Sequence, residues 1–195
     1  MDVMEAIMTR RSIRRFKTTP VPGETLSKLL EAACRAPSWK NTQCWRFIVV
    51  WDSQLKVELA ATLIGNPVEG SSEVRPNSAA AALIQAPLVI AACAQLGRSG
   101  YSRGESSTDK GDWFMFDTAL AMENLVLAAH SFGLGTVFVG LFDAHKAARL
   151  LSVPEGFALV ALTPLGYPDE EPAPRPRREV AESVFYDRFG KLSQQ

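Results

Sequence analysis

Two hydrophobic periods alternate along this chain of 195 residues, one helical and one extended, and together they predict an α+β fold. Asp2 and Glu5 have the spacing of a capping box, with aspartate as the less usual cap. Met4, Ile7 and Met8 follow as one apolar stripe at helical spacing. A second helix carries Leu26, Leu29, Leu30 and Ala33 and ends at Pro37, because proline disfavours the α conformation in the residue before it. Residues 45–51 are apolar and β-branched apart from Arg46, the pattern of a strand buried on both faces. Asp52 or Ser53 can cap a third helix with Leu55, Leu59 and Leu63. Residues 65–77 read as a turn-rich loop. Residues 78–86 form an alanine-rich helix closed by Pro87, and 88–94 a second buried strand.

Residues 96–112 are polar, rich in glycine and serine, and without periodicity, which leaves a disordered segment and a mobile lid equally open. Residues 113–132 predict the longest helix, with Leu120, Leu125, Val126 and Ala129 inward. It is apolar around much of its circumference, as expected of a central or interface helix. Gly133 suits the position just past its end. A third strand is expected over 136–139, a short helix from Asp143 to Leu151, and a fourth strand over 157–165. A proline-rich surface excursion then runs to Pro176, ahead of a tail carrying Val184, Phe185, Tyr186 and Phe189. The expected architecture is a single domain, residues 1–195, with a central mixed sheet of four or five strands flanked by helices.

Composition adds exclusions. Apolar residues make up 47% and charged residues 22%, and the formal net charge is zero, so nothing draws the whole chain to nucleic acid or anionic membranes. The N-terminus lacks a basic-then-apolar signal pattern, and no apolar run is long enough to span a bilayer. Cys34, Cys44 and Cys93 show neither a metal pattern nor a disulfide framework, so a reducing cytoplasm is the default. His130 and His145 have no Ser or Cys partner in a nucleophile motif and read as structural. No zinc or P-loop pattern is present. Residues 133–140 contain glycines, but they follow a helix and the third glycine is misplaced for a dinucleotide fingerprint.

Two stretches carry candidate chemistry. Ser38, Asn41 and Gln43 place a hydroxyl and two amides at the entrance of the 45–51 strand. Such neutral donors and acceptors suit a flat heteroaromatic ligand, or they satisfy only their own backbone as a turn. Taken alone, the loop favours the turn. Near the N-terminus, Arg10-Arg11-Ser12-Ile13-Arg14-Arg15-Phe16 is dense in arginine. Guanidinium forks suit phosphate oxygens bidentately, and Ser12 adds a donor. Arg11 and Arg15 also fit a solvated face.

The pair of motifs, Arg-Arg-Ser-Ile-Arg-x-Phe followed by Ala-Pro-Ser-x-x-Asn-x-Gln-x-Trp, resembles the FMN-dependent nitroreductase family, and later segments extend the likeness over nearly the whole chain. The resemblance implies a homodimer with two FMN sites at its interface. Arg10, Arg11, Ser12, Arg14, Gly140, Leu141, Arg175 and Arg177 would come from one subunit. Pro37, Ser38, Trp39 and Asn41 would come from the other, with Gln43 either contacting the ligand or bracing the loop. Gly140 and Leu141 would offer backbone donors to the ring, Arg14 its positive charge, and Arg175 and Arg177 would grip the phosphate, with Arg178 a bystander. The family's tail commonly wraps the partner subunit.

The implied activity is hydride transfer from NADH or NADPH through FMN to a nitroaromatic, quinone or similar small acceptor by a ping-pong mechanism. No metal and no catalytic acid, base or nucleophile of the protein are needed. Other reactions on this fold, reductive dehalogenation or the flavin fragmentation that makes the lower ligand of cobalamin, are the alternatives. Non-catalytic FMN storage or sensing is a further one. Two positions depart from the family's usual pattern: Trp39 stands where the family often has serine, and Cys44 where it often has proline.

Overall fold

The computed structural model describes residues 1–192. Its centre is a four-stranded sheet made of β1 (Trp45–Val50), β4 (Leu88–Gln95), β8 (Phe157–Gly166) and β7 (Gly135–Thr136), in the order β1-β4-β8-β7. Two small hairpins lie outside it, β2 (Asn66–Pro67) with β3 (Val74–Arg75), and β5 (Tyr101–Ser102) with β6 (Glu105–Ser106). The helices are α1 (Val3–Thr9), α2 (Gly23–Cys34), α3 (Ser53–Ala60), α4 (Ala79–Gln85), α5 (Phe114–Ser131) and α6 (Ala144–Leu150).

All three ladders of the sheet are antiparallel. The expected mixture of strand directions reduces to one parallel bridge, Ser12 with Thr136. A residue-by-residue apolar pattern does not encode strand direction, because side chains alternate identically in both kinds of ladder.

The sheet separates two cores. One face packs against α3, α4 and α6 through Leu59, Leu83, Val89, Ala91 and Leu162. The other packs against α2 and α5 through Leu29, Leu88, Ile90, Leu125 and Leu165. Strand β4 lies between β1 and β8 and is buried along almost its whole length, as its apolar run requires. Strand β1 carries the same kind of run but sits at the sheet's edge, so Arg46 is exposed and residues 47–49 are only half-buried. The third strand also departs from expectation. Regular pairing covers only Gly135 and Thr136, and Val139 rejoins β8 by a single bridge to Leu162, leaving Phe138 exposed between them.

Helix ends follow local chemistry. Asp2, Asp52 and Asp143 each accept a hydrogen bond from the amide three residues on, at 2.8, 2.6 and 2.9 Å. Gly133, at φ +73°, ends α5: its N–H donates to His130 and that of Leu134 to Ala129, a Schellman closure. Residues 96–112 are an excursion carrying the β5–β6 hairpin. Among the described residues no helix is long and apolar enough to cross a membrane.

Candidate functional site

Residues 11–16 leave α1 in extended conformation and lie along β7. The Ile13 amide donates to the Thr136 carbonyl at 2.9 Å, and Lys17 donates to Tyr167 at 2.9 Å. Extended backbone sends neighbouring side chains to opposite sides. Ile13 therefore enters a small core with Phe16, Ala82 and Ala86, while Ser12 and Arg14 face a cleft. Gly135 makes this close approach possible, because a Cβ there would stand 2.6 Å from Ile13 Cγ1. Glu170 secures the motif by accepting from the backbone amides of Arg14 and Arg15. Burial pushes the Glu170 carboxyl up, but those two amides and the Arg15 guanidinium outweigh it and hold the group below its ordinary range.

The cleft has a volume of about 720 Å³. Arg10, Arg11, Ser12, Arg14, Arg175 and Arg177 all line it, together with Ile7, Met8, Glu123, Pro172 and Ala173. Two ends of the chain thus converge on five arginines and a single carboxylate. Arg11 is partly committed elsewhere: its Nη1 donates to the carbonyls of Met8 and Arg10 at 2.9 Å each, closing the end of α1. Arg14 also lines a second, smaller cleft of about 200 Å³ with Asn66, Asn77, Ser78 and residues 137–141. Gly140 and Leu141 are there, and a Cβ on Gly140 would meet nothing within 4 Å. Asn66 and Asn77 were not singled out in the sequence, since asparagine in a turn-rich loop is the expected turn residue. Part of Asn77 is structural, its Nδ2 donating to Ile64 and Leu141 carbonyls.

Pro37, Ser38, Trp39, Asn41 and Gln43 line neither of these clefts. Their loop packs on the start of α5. It is strained: Lys40, Asn41 and Gln43 have φ of 43°, 55° and 45°. A left-handed residue other than glycine costs on the order of 1–3 kcal/mol and persists only where its surroundings impose it. Here Ser38 Oγ accepts from the Gln43 amide at 2.9 Å, and Gln43 Nε2 donates to Asn41 Oδ1 at 3.1 Å. Within one chain the loop's polar groups are thus partly self-satisfied, as the turn reading holds. Asp117, one of two acids in the largely apolar α5 and missed in the sequence, accepts from the Trp39 amide at 3.0 Å. The Trp39 indole packs on Trp113 with centroids 5.6 Å apart and planes tilted by 47°, and its buried Nε1 has no partner among the described residues.

His130 Nε2 lies 2.8 Å from Thr9 Oγ1, joining α5 to α1. Burial, then the charges of Arg10 and Arg11, lower its pKa against a smaller opposing effect of Glu5. Cys44 and Cys93 are both pushed up to about 11 by burial, Cys44 also by the charge of Asp117. Both should therefore resist thiol reagents in the native protein. A titration at pH 8 should find at most one reactive thiol, and all three after denaturation; more than one in the native protein would contradict their burial. Because the folded chain holds these protons more tightly than the unfolded one, stability is full below the ordinary value of 9.0. It should then fall as pH rises toward 11.

The clefts fit a phosphorylated flat ligand: excess guanidinium charge, one hydroxyl, and an open backbone approach at Gly140. Comparison with known proteins agrees. A protein of Methanothermobacter thermautotrophicus, provisionally named an NADH dehydrogenase/NAD(P)H nitroreductase, is 36% identical over 181 residues. The match covers 90% of this chain and 82% of that one. An iodotyrosine deiodinase of Thermotoga neapolitana is 30% identical, covering 92% and 95%. The NADPH:FMN oxidoreductase of Vibrio harveyi, solved in complex with NAD+, superposes with a TM-score of 0.79 at 26% identity, covering 98% of this chain and 79% of that one. The nitroreductase family model matches residues 7–167, and the chain belongs to that family.

Proposed function

We propose that this chain binds FMN and carries electrons from NADH or NADPH to a small aromatic or quinone acceptor, nitroaromatics among them, with donor and acceptor taking turns at one site. The observation that carries the reading is the cleft where five arginines from the two ends of the chain meet beside Ser12. Bound FMN would supply the redox chemistry. The protein's residues position and neutralise. Arg10, Ser12, Arg175 and Arg177 hold the phosphate, while Arg14, shared by both clefts, brings positive charge to the ring. Gly140 and Leu141 present backbone N–H groups. No side chain need move a proton or form a bond.

The site is completed by a second copy of the chain, which brings Pro37, Ser38, Trp39, Asn41 and Gln43. Support for a homodimer is the apolar surface one chain leaves uncovered: Val3, Met4, Ile7 and Met8 on α1, Met115 and Phe116 on α5, and Phe189, 93% exposed, in the tail. A lone subunit has little reason to keep such a surface.

The test is direct. Purified protein should retain FMN and oxidise NADH or NADPH when given a quinone, a nitroarene or a halogenated phenol. The halogenated phenol belongs in the panel because of the deiodinase relative. Tight FMN with no turnover on any acceptor would favour storage or sensing. Absence of flavin binding would sink the proposal.

A further inference from the structure

We infer that Asp117 is a positioning residue whose carboxylate ties the ligand loop 37–43 to the 97–113 lobe, so that the two segments shift as one unit. The inference rests on the function proposed above for what the loop faces, but not for the tie itself.

Asp117 sits in the first turn of α5, 1% exposed, in a helix whose other buried residues are apolar apart from Thr118. No cation pairs with it among the described residues. A buried carboxylate without a countercharge is tolerated only when several donors surround it. Those donors come from both segments. Ser99 Oγ, fully buried at the base of the lobe, donates to Oδ2 at 2.6 Å. From the loop side, the same oxygen accepts from the Trp39 amide at 3.0 Å and from Thr42 Oγ1 at 3.5 Å. Cys44 Sγ, just beyond the loop, lies 3.9 Å from it. Its thiol keeps its proton and points a weak donor at the same oxygen.

Both segments are shaped so that this oxygen matters. The loop holds three left-handed residues other than glycine and has every reason to relax. The lobe is closed at its base by Trp113 N–H to Ser99 O at 3.0 Å and Gly97 N–H to Asp112 Oδ2 at 2.7 Å. Gly100, at φ +83°, leaves room there, since a Cβ would meet the Gly111 carbonyl at 2.7 Å. The tilted Trp39–Trp113 ring pair is a second tie across the same seam. A molecule that displaces the lobe is therefore felt by the loop through one atom and one ring pair.

The test uses the full chain and three variants, Ser99→Ala, Asp117→Asn and Asp117→Ala. Hydrogen exchange is followed first without added flavin. Asp117→Ala should speed exchange about tenfold at the Trp39 amide and across 97–113, because hydrogen bonds to a charged acceptor are lost on both sides. Asp117→Asn keeps an acceptor and should fall between it and the parent. Ser99→Ala alters only the lobe side, yet should speed exchange at residues 39–43. A general loss of stability would raise exchange throughout the sheet and would not single out that loop. An effect of Ser99→Ala confined to 97–113 overturns the inference, and this variant removes one hydroxyl and should fold even where Asp117→Ala does not.

FMN and riboflavin are then titrated. Asp117→Ala should weaken both by the same factor, since the loop is read as facing the ring and not the phosphate. Coupled exchange with unchanged flavin affinity would uphold the tie and overturn the assignment of the loop to flavin.

Discussion

Replacing Arg177 by alanine is expected to raise the FMN dissociation constant about tenfold to a hundredfold while leaving riboflavin nearly unaffected. Arg177 reaches the cleft from the irregular stretch after β8 and meets Arg10, Ser12, Arg14 and Arg175 there. A hydrogen bond to a charged group contributes about 1.5–3 kcal/mol, and each 1.4 kcal/mol is a factor of ten in affinity. Its guanidinium is exposed in the free chain, so part of that energy goes to replacing water. The expected factor therefore lies in the lower half of that range. Riboflavin has the same ring and no phosphate, so it isolates the contact. Fluorescence titration of both ligands reads the outcome, and equal losses for the two would refute the phosphate role of Arg177.

The second large effect concerns how the site is assembled. Arg14 lines the arginine cleft, whereas Asn41 lies in the loop held by Asp117, outside that cleft. If each site takes Arg14 from one subunit and Asn41 from the other, Arg14→Ala and Asn41→Ala homodimers are each damaged at both sites. In a heterodimer of the two, both lesions fall in one site and the other is intact. Random exchange should restore roughly a quarter of parent flavin binding and activity, since half the dimers are mixed and each carries one intact site. Native mass spectrometry confirms that heterodimers form. Heterodimers without recovery would show that Asn41 and Arg14 do not meet across an interface.

The motif residues were readable locally, and their meeting was not. Arg10 to Arg14 could be seen as an arginine-dense stretch, and the alternation of Ser12 and Arg14 with Ile13 follows from extended backbone. That Arg175 and Arg177 come to the same cleft depends on β8 crossing the sheet beside β4 and returning the chain to α1. Nothing in their proline-rich surroundings specifies a destination. Asn66 and Asn77 were hidden for a related reason: a turn and a ligand cleft ask for the same residue type.

Most helix ends were legible in the sequence itself, although α3 stops at Ala60 and leaves Leu63, expected on it, in a bridge with Phe142. Asp2, Asp52 and Asp143 cap because a short acceptor reaches an amide three residues on, Pro37 and Pro87 end elements by their backbone restrictions, and Gly133 by its freedom to take a positive φ. These interactions span a few residues, so their cause is written where they act. Strand order, the antiparallel direction of each ladder and the exposure of β1 at an edge were decided by the tertiary structure. The apolar runs 45–51 and 88–94 read alike, yet one is half-exposed and the other buried between two neighbours. Asp117 is the sharpest case. As a letter it is one of two acids in a largely apolar helix, beside Glu123; its role exists only because Ser99 and Trp39, far from it along the chain, are brought to a single oxygen atom.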